Sequence, residues 1–186
     1  MYEKGRIILA KQNSVIIDPG HGGSDPGAVY GNRREKDDTL ALAYDIGNAL
    51  EQRGIRVEYT RIGDIYNSPY EKAEIGNRSA ADLFLSIHRN AMPVPGTGSG
   101  TMSLIFGRGG DAETFARNIN KELAKTGWKD LGISERPNLV VLRDTALPAV
   151  LVEVGFIDNE NDNDFFDANM RQTADAIADG IVRTFA

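Results

Sequence analysis

The chain has 186 residues and no cysteine, with 41% hydrophobic and 26% charged residues. This length is typical of one domain that buries a hydrophobic core, and the lack of cysteine excludes disulfides, thiolate metal sites and a thiol nucleophile. The formal net charge of −6 excludes an overall basic field that would attract nucleic acid or an anionic membrane, so we expect neither as a partner.

The N-terminal segment, residues 1–14, forms a leader or an extra strand in our interpretation, and the domain itself spans residues 15–186. The apolar patch at residues 7–10 is too short for the hydrophobic region of a signal peptide, so no export signal is visible in the sequence. No stretch is long and apolar enough for a transmembrane helix, and we expect no membrane insertion.

Strand-like and helix-like segments alternate along the first half of the domain. A short β-branched run ending in Pro-Gly predicts the first strand, and an apolar stripe closed by Gly54 predicts the helix that follows. Ser68 and Glu71 have the spacing of a capping box, with Pro69 at the first helical position. The predicted elements are a strand at 15–18, a helix at 39–53, a strand at 55–60, a helix from 68 to about 80 and a strand at 83–87.

The second half continues this pattern after a loop at 92–100 that is rich in glycine and proline. Asp111 can cap a helix that ends at Gly127, and an apolar stripe from Met170 to Ile181 indicates a C-terminal helix. Short apolar runs predict strands at 101–106, 139–142 and 150–154. The alternation predicts a single α/β domain with a largely parallel, doubly wound sheet of about six strands and helices on both faces.

Both histidines of the chain follow predicted strands. His21 lies in the glycine-rich turn after the first strand, and His88 follows the strand at 83–87. Because ligands gather beyond the carboxyl ends of parallel strands, we expect both imidazoles at one edge of the sheet. A single histidine after a strand is more often a surface or hydrogen-bonded residue, but two strand-terminal histidines favour a site.

Two glutamates complete the candidate site. Glu35 lies on a polar loop, residues 31–38, before the first predicted helix. It can equally be a partner of the helix dipole, a role open to Asp37 and Asp38 as well. Glu153 lies between apolar residues of the last strand, where burial without a partner would be costly. An edge strand with Glu153 facing water is the alternative, and we favour the functional interpretation.

These side chains suit metal-assisted hydrolysis. A hydrolytic zinc site takes three protein ligands and keeps one position for water, and His21, Glu35 and His88 can fill that set. Zinc lowers the pKa of the water to about 7 and polarises a substrate carbonyl, while Glu153 remains free as general base and acid. Neither histidine has a serine on a nucleophile elbow, and the turn at 20–23 lacks the Gly-Lys-Ser/Thr ending of a phosphate loop.

The sequence resembles the zinc-dependent N-acetylmuramoyl-L-alanine amidases of the amidase 3 type over nearly its whole length. The matching segments are VIIDPGHGGSDPGA at 15–28, EKD at 35–37, YTR at 59–61, SIHRNA at 86–91 and PAVLVEVGFIDN at 148–159. The resemblance implies a doubly wound sheet, zinc bound by His21, Glu35 and His88, and Glu153 as the catalytic glutamate. It implies hydrolysis of the amide between N-acetylmuramic acid and L-alanine in peptidoglycan, in an extracytoplasmic location.

The chain departs from some members of that family. Cell-division members carry a long helical insertion that blocks the site until an activator moves it, and residues 90–155 leave no room for one here. We therefore expect a catalytic domain that needs no activator protein. Wall-binding repeats, which most relatives carry, are absent from the sequence.

Two alternatives to an amidase stay open. One is a zinc carboxypeptidase-like peptidase, for which Arg89 or Arg143 could supply a cationic pocket. The other is a non-catalytic wall-binding relative, against which the complete four-residue set argues. Arg89 takes a place that is often filled by a small residue, where it could meet a stem-peptide carboxylate or be solvated.

Overall fold

The computed structural model describes residues 12–186. Most of the predicted leader therefore lies outside the described residues, and the first strand already begins at Ser14. Within residues 12–186, no helix combines the length and the apolar character needed to cross a bilayer.

A six-stranded sheet forms the centre of the molecule, which confirms the predicted α/β domain. Its strands are β1 (Ser14–Pro19), β4 (Arg56–Tyr59), β5 (Leu83–Asn90), β6 (Thr101–Ile105), β7 (Asp130–Glu135) and β8 (Ala149–Phe156). They lie in the order β4-β1-β5-β8-β6-β7, and a separate antiparallel pair joins β2 (Val29–Tyr30) to β3 (Arg33–Arg34). The first four strands of the sheet are parallel, β6 runs antiparallel to β8, and β7 is parallel to β6.

Helices cover both faces of the sheet, as predicted. They are α1 (Glu35–Gln52), α2 (Pro69–Arg78), α3 (Asp111–Lys125), α4 (Val140–Arg143) and α5 (Glu160–Thr184). Helices α1, α3 and α5 pack on one face around a large apolar core, and α2 and α4 pack on the other face around a smaller one. Side chains of successive strand residues point to opposite faces, so the two cores take alternate residues of each strand, as with Ile16 and Ile17.

This alternation decides where the polar strand residues point. In β5, Leu85 and Ile87 join the large core, so His88 faces the side of α2 and α4. In β8, Val152 and Val154 join the same core, so Glu153 also faces α2 and α4. His88 and Glu153 are register partners on adjacent strands, which places their side chains next to each other.

One predicted strand is wrong. Residues 139–142 belong largely to the short helix α4 (Val140–Arg143), and the sixth strand is instead β7 (Asp130–Glu135). A four-residue apolar run fits a strand and a buried helical turn equally well, so the run alone could not distinguish the two structures. Strand β7 lies at the edge of the sheet and is largely exposed, so it carries no apolar run that would identify it.

Two predicted helix starts are also displaced. Helix α1 begins at Glu35 rather than at residue 39, because its N-cap, Arg34, makes no side-chain capping bond that the sequence could signal. Asp111 is the first residue of α3 and Gly110 is its N-cap. The capping box of Ser68 and Glu71 is present as predicted.

A buried ion pair fixes the carboxyl end of β1. The Asp18 carboxylate is fully buried and accepts hydrogen bonds from Lys72 Nζ (2.8 Å), Thr60 Oγ1 (2.6 Å) and Ser86 Oγ (2.7 Å). Burial alone would raise the pKa of Asp18, but the charge of Lys72 and these hydrogen bonds hold it below its ordinary value. Lys72 also donates to the Pro19 carbonyl, so α2 is tied to the strand that leads into the candidate site.

We expect Lys72→Ala to lower the free energy of unfolding by about 3–5 kcal/mol, because it leaves the Asp18 charge buried and unpaired. Denaturant titration measures the change. Lys121→Ala, on an exposed position of α3, is the matched control and should stay within about 0.5 kcal/mol. Combining Lys72→Met with Asp18→Asn should recover most of the loss, and a single variant as stable as the control would contradict the expectation.

Candidate active site

Three of the predicted site residues converge at the carboxyl ends of β1 and β5. His21, Glu35 and His88 each offer one ligand atom, and these atoms lie within 4.8 Å of one another. The Glu35 carboxylate lies between the imidazoles, with Oε1 2.8 Å from His88 Nδ1 and Oε2 3.1 Å from His21 Nε2. The two rings are 4.9 Å apart between centroids, with an interplanar angle of 77°. This group could hold a metal ion.

Asp25 orients His21, which has an unusual backbone conformation. With φ at 59°, His21 is in the left-handed region, which costs about 1 kcal/mol or more for a residue other than glycine. Its Nδ1 atom lies 2.8 Å from Asp25 Oδ2, so Nε2 is directed at Glu35. A carboxylate on the far nitrogen of a metal-binding histidine fixes ring orientation and raises ligand basicity. Asp25 is not among the residues predicted from the sequence, although its i, i+4 spacing from His21 is a signal that could have identified it.

Glu35 is the first residue of α1, not a loop residue as predicted. Backbone amides of Ala28 and Arg89 donate to its two oxygens at 2.9 and 3.0 Å. Burial would raise the pKa of Glu35, but the hydrogen bonds and positive charge of His21 and His88 hold it well below its ordinary value. Burial lowers the pKa of His21, whereas Glu35 and Asp25 raise it, and the net shift is upward.

Two glycines make room for this packing. A Cβ atom on Gly20 would lie 2.5 Å from the His88 ring, and one on Gly27 would lie 2.6 Å from Glu35 Oε2 and 2.5 Å from the His21 ring. Side chains at these positions would therefore displace the three candidate ligands. The glycines of the segment 15–28 serve close approach as well as turn geometry.

Arg61 and Thr39 hold the turn that carries His21. The buried Arg61 guanidinium donates to the carbonyls of Pro19 (3.1 Å), Gly20 (3.0 Å) and Lys36 (2.9 Å). The Thr39 hydroxyl donates to the same Gly20 carbonyl at 2.8 Å. These bonds connect the end of β1 to the first turn of α1, so they set the distance between His21 and Glu35.

Glu153 lies beside the group, facing the same side of the sheet as His88. Its strand is bordered by β5 and β6, so the alternative of an edge strand with Glu153 facing water is wrong. The Oε2 atom is buried and has no hydrogen-bond partner among residues 12–186. Burial raises the pKa of Glu153 to about 7; the nearby His88 opposes the shift and negative Glu35 adds to it.

A cleft of about 250 Å³ opens in front of the two histidines. Asp18 and Lys72 form part of its polar lining, and its apolar wall comes from the start of α2, the residues of α4 and β8. The apolar residues are Pro69, Leu139, Val140, Val141 and Leu151. Both histidines line this cleft, so a substrate carbonyl could reach them through it.

Arg89 and Arg143 do not form the cationic pocket of a carboxypeptidase. Arg89 is buried on the opposite face of β5 from His88, where it donates to Asp38 (2.6 Å) and Asn163 (2.8 Å) and stacks over Phe166. Both predictions for Arg89, contact with a stem-peptide carboxylate and solvation, are therefore wrong. Arg143 pairs with its neighbour Asp144 at the end of α4.

A model of the amidase 3 family, described as N-acetylmuramoyl-L-alanine amidase, matches residues 15–183. The chain belongs to this family. It is 37% identical over 177 residues to the N-acetylmuramoyl-L-alanine amidase CwlM of Bacillus licheniformis, covering 92% of this chain and 68% of that one. It is 38% identical over 152 residues to the sporulation-specific N-acetylmuramoyl-L-alanine amidase of Bacillus subtilis (strain 168), covering 80% of this chain and 58% of the relative.

A solved amidase has the same fold. The crystal structure of N-acetylmuramoyl-L-alanine amidase from Clostridium difficile 630 superposes with a TM-score of 0.89 at 32% identity, covering 95% of this chain and 98% of that one. The fold and the family therefore agree with the resemblance found in the sequence. The first two relatives are longer than this chain, which spans 68% and 58% of their lengths.

We expect the purified amidase to retain about one divalent ion per chain after dialysis, as measured by elemental analysis. His88→Ala should lose it, because two remaining ligands hold an ion weakly. Asp37→Ala, an exposed carboxylate in the same helical turn as Glu35, is the control and should retain the ion. Since binding must displace a proton that His21 holds with a raised pKa, affinity should fall as the pH falls. An ion retained equally by His88→Ala would contradict this assignment.

Proposed function

We propose that this amidase is a zinc-dependent hydrolase that cleaves the amide between N-acetylmuramic acid and L-alanine in peptidoglycan. The observation that carries the proposal is the His21–Glu35–His88 group next to an unpartnered carboxylate, Glu153. The bond itself is supported by the family description and by the names of the two relatives, both N-acetylmuramoyl-L-alanine amidases.

The donor set supports zinc as the metal. Two imidazoles and one carboxylate are a common catalytic zinc set, and no sulfur atom belongs to this group. Asp25 supplies the outer hydrogen bond that such a histidine usually makes. A bound zinc ion supplies Lewis acidity, polarising a carbonyl group and lowering the pKa of a water molecule.

Glu153 is the proposed general base and acid. Its side chain lies on the same face of the sheet as His88, and its Oε2 atom accepts no hydrogen bond from residues 12–186, so it is free to take the proton of the attacking water. It then passes this proton to the amine nitrogen that leaves as the C–N bond breaks. Burial raises its pKa to about 7, which suits a group that must both accept and donate near neutral pH. A cation bound by the histidines would lower this pKa.

Glu153→Gln should reduce turnover by at least roughly 10²–10⁴-fold, because an amide cannot transfer the proton. The fold and the metal content should stay unchanged, since the substitution is nearly isosteric and the residue is not assigned as a ligand. Glu51→Gln, exposed on α1, is the control for a lost carboxylate. Turnover of Glu153→Gln near that of the control would refute the role, and loss of the metal would make Glu153 a ligand instead.

We also propose that the chain acts without an activator protein. Between the ends of β5 and β8, the described elements are β6, α3, β7 and α4, and α3 packs on the face opposite the cleft. Of these four elements only α4 borders the cleft, and the cleft is open beside it. Because its substrate is cell-wall polymer, the proposed site of action is extracytoplasmic. We also propose that residues 15–186 form the catalytic domain.

The purified chain, with nothing but zinc added, should release free stem peptides from peptidoglycan. Mass spectrometry should find new L-alanine amino termini and intact glycan strands without new reducing ends. Glycoside cleavage generally needs two carboxylates across the sugar bond. Here Glu35 is held between imidazoles, and the cleft carboxylates of Asp18 and Asp25 are paired with Lys72 and His21, which leaves no second unpaired carboxylate beside Glu153 among residues 12–186. Shortened peptides still attached to muramic acid would indicate a peptidase, and activity only with host extract would contradict independence from an activator.

A further inference from the structure

An exposed aromatic and aliphatic surface lies next to the candidate site. Ile62 (71% exposed), Ile65 (53%), Tyr66 (51%) and Tyr70 (63%) follow one another along the loop after β4 and the start of α2. We call these four residues the 62–70 surface. Four large hydrophobic side chains exposed within nine residues exceed the scattered exposure that is normal for a protein surface, and such patches mark interaction sites.

The loop is held against the turn that carries His21. Asp64 accepts hydrogen bonds from the Gly23 amide (2.7 Å) and from Lys36 Nζ (2.8 Å), and the Tyr44 hydroxyl donates to the Ile62 carbonyl. The backbones pack so closely that a Cβ atom on Gly22 would lie 2.2 Å from the Ile65 carbonyl oxygen. The exposed side chains are therefore presented from a fixed backbone.

The cleft cannot hold the proposed substrate alone. Its volume of about 250 Å³ is below the roughly 300–1,000 Å³ of pockets that enclose a drug-sized molecule. A glycan strand with its stem peptides is a polymer, so it must continue over the surface on either side of the bond at the histidines. Asn67 and Pro69 line the cleft and lie between Tyr66 and Tyr70 in the sequence, so the segment that carries the 62–70 surface borders the cleft.

We propose that the 62–70 surface binds the glycan strand of peptidoglycan, with tyrosine rings against the apolar faces of the sugars. This inference rests on the proposed function. A pyranose ring presents C–H groups on its faces and hydroxyls at its edges, which matches the apolar body and polar tip of tyrosine. The carboxyl group of N-acetylmuramic acid forms the amide bond to L-alanine and carries no charge, so this part of the polymer is neutral. Correspondingly, Asp64 within the surface is already paired with Lys36.

Tyr66→Ala tests the inference, with Tyr66→Phe as the conservative variant and Phe106→Ala as the control. Phe106 is 50% exposed and follows β6. Because β6 runs antiparallel to β8, Phe106 lies at the amino ends of the parallel strands, whereas the histidines lie at their carboxyl ends. Binding is measured by co-sedimentation with intact peptidoglycan and by titration with oligomers of N-acetylglucosamine, a neutral glycan without stem peptides. Turnover is measured on peptidoglycan and on a short soluble muramoyl peptide.

We expect Tyr66→Ala to weaken glycan binding and to lower kcat/KM on peptidoglycan roughly tenfold, with turnover of the short substrate and metal content unchanged. Tyr66→Phe should retain most of the binding, because the ring remains. Tyr70→Ala should act in the same direction, and Phe106→Ala should match the unaltered chain.

Two results would overturn the inference while leaving the proposed function intact. One is cleavage of peptidoglycan with Tyr66→Ala indistinguishable from Phe106→Ala. The other is a concentration-dependent dimer that Tyr66→Ala dissociates without any change in glycan binding, which would assign the 62–70 surface to a second copy. Conversely, glycan binding that depends on Tyr66 in a chain that cleaves nothing would support the inference and refute the proposed function.

Discussion

The Glu35 carboxylate between two imidazoles is the interaction on which the candidate site depends. A buried carboxylate is costly unless its oxygens are fully bonded, and Glu35 meets His21, His88 and the amides of Ala28 and Arg89. These partners come from the turn after β1, from the β2 region and from β5. The site therefore forms only when β1 pairs with β5 and α1 begins at Glu35.

Adjacent residues of β5 have different roles because their side chains point to opposite faces of the sheet. His88 points to the cleft, and Arg89 points to the opposite face, where it stacks over Phe166 and bonds to Asp38 and Asn163. Arg89 thereby ties α1 and α5 to the strand that carries His88, while its backbone amide holds Glu35. A charged residue next to a candidate metal ligand acts here through packing, because strand alternation turns it away from the substrate.

The parts of this arrangement that local sequence encodes were predicted, and the parts that depend on long-range contacts were not. The apolar runs before His21 and His88 identified β1 and β5, and the position of Glu153 within an apolar run identified a carboxylate with a buried oxygen. The place of Arg89 depends on α5, whose residues lie more than 70 positions away along the chain, so sequence alone left it undecided. Edge strand β7 was missed and helix α4 was predicted as a strand, because neither segment is long or periodic enough for its sequence to identify the structure.

The unpaired carboxylate of Glu153 has a cost in folding stability that the rest of the fold must offset. Its ordinary pKa is near 4.5 and burial raises it to about 7, so the folded metal-free chain binds this proton more tightly than the unfolded chain does. Stability from this difference is present below pH 4.5 and is lost as the pH rises through 7. Near neutral pH the residue thus opposes folding, whereas buried Asp18, which accepts three hydrogen bonds including that of its ion pair with Lys72, supports it. The two carboxylates face the same side of one sheet, and only the one without partners is available for proton transfer.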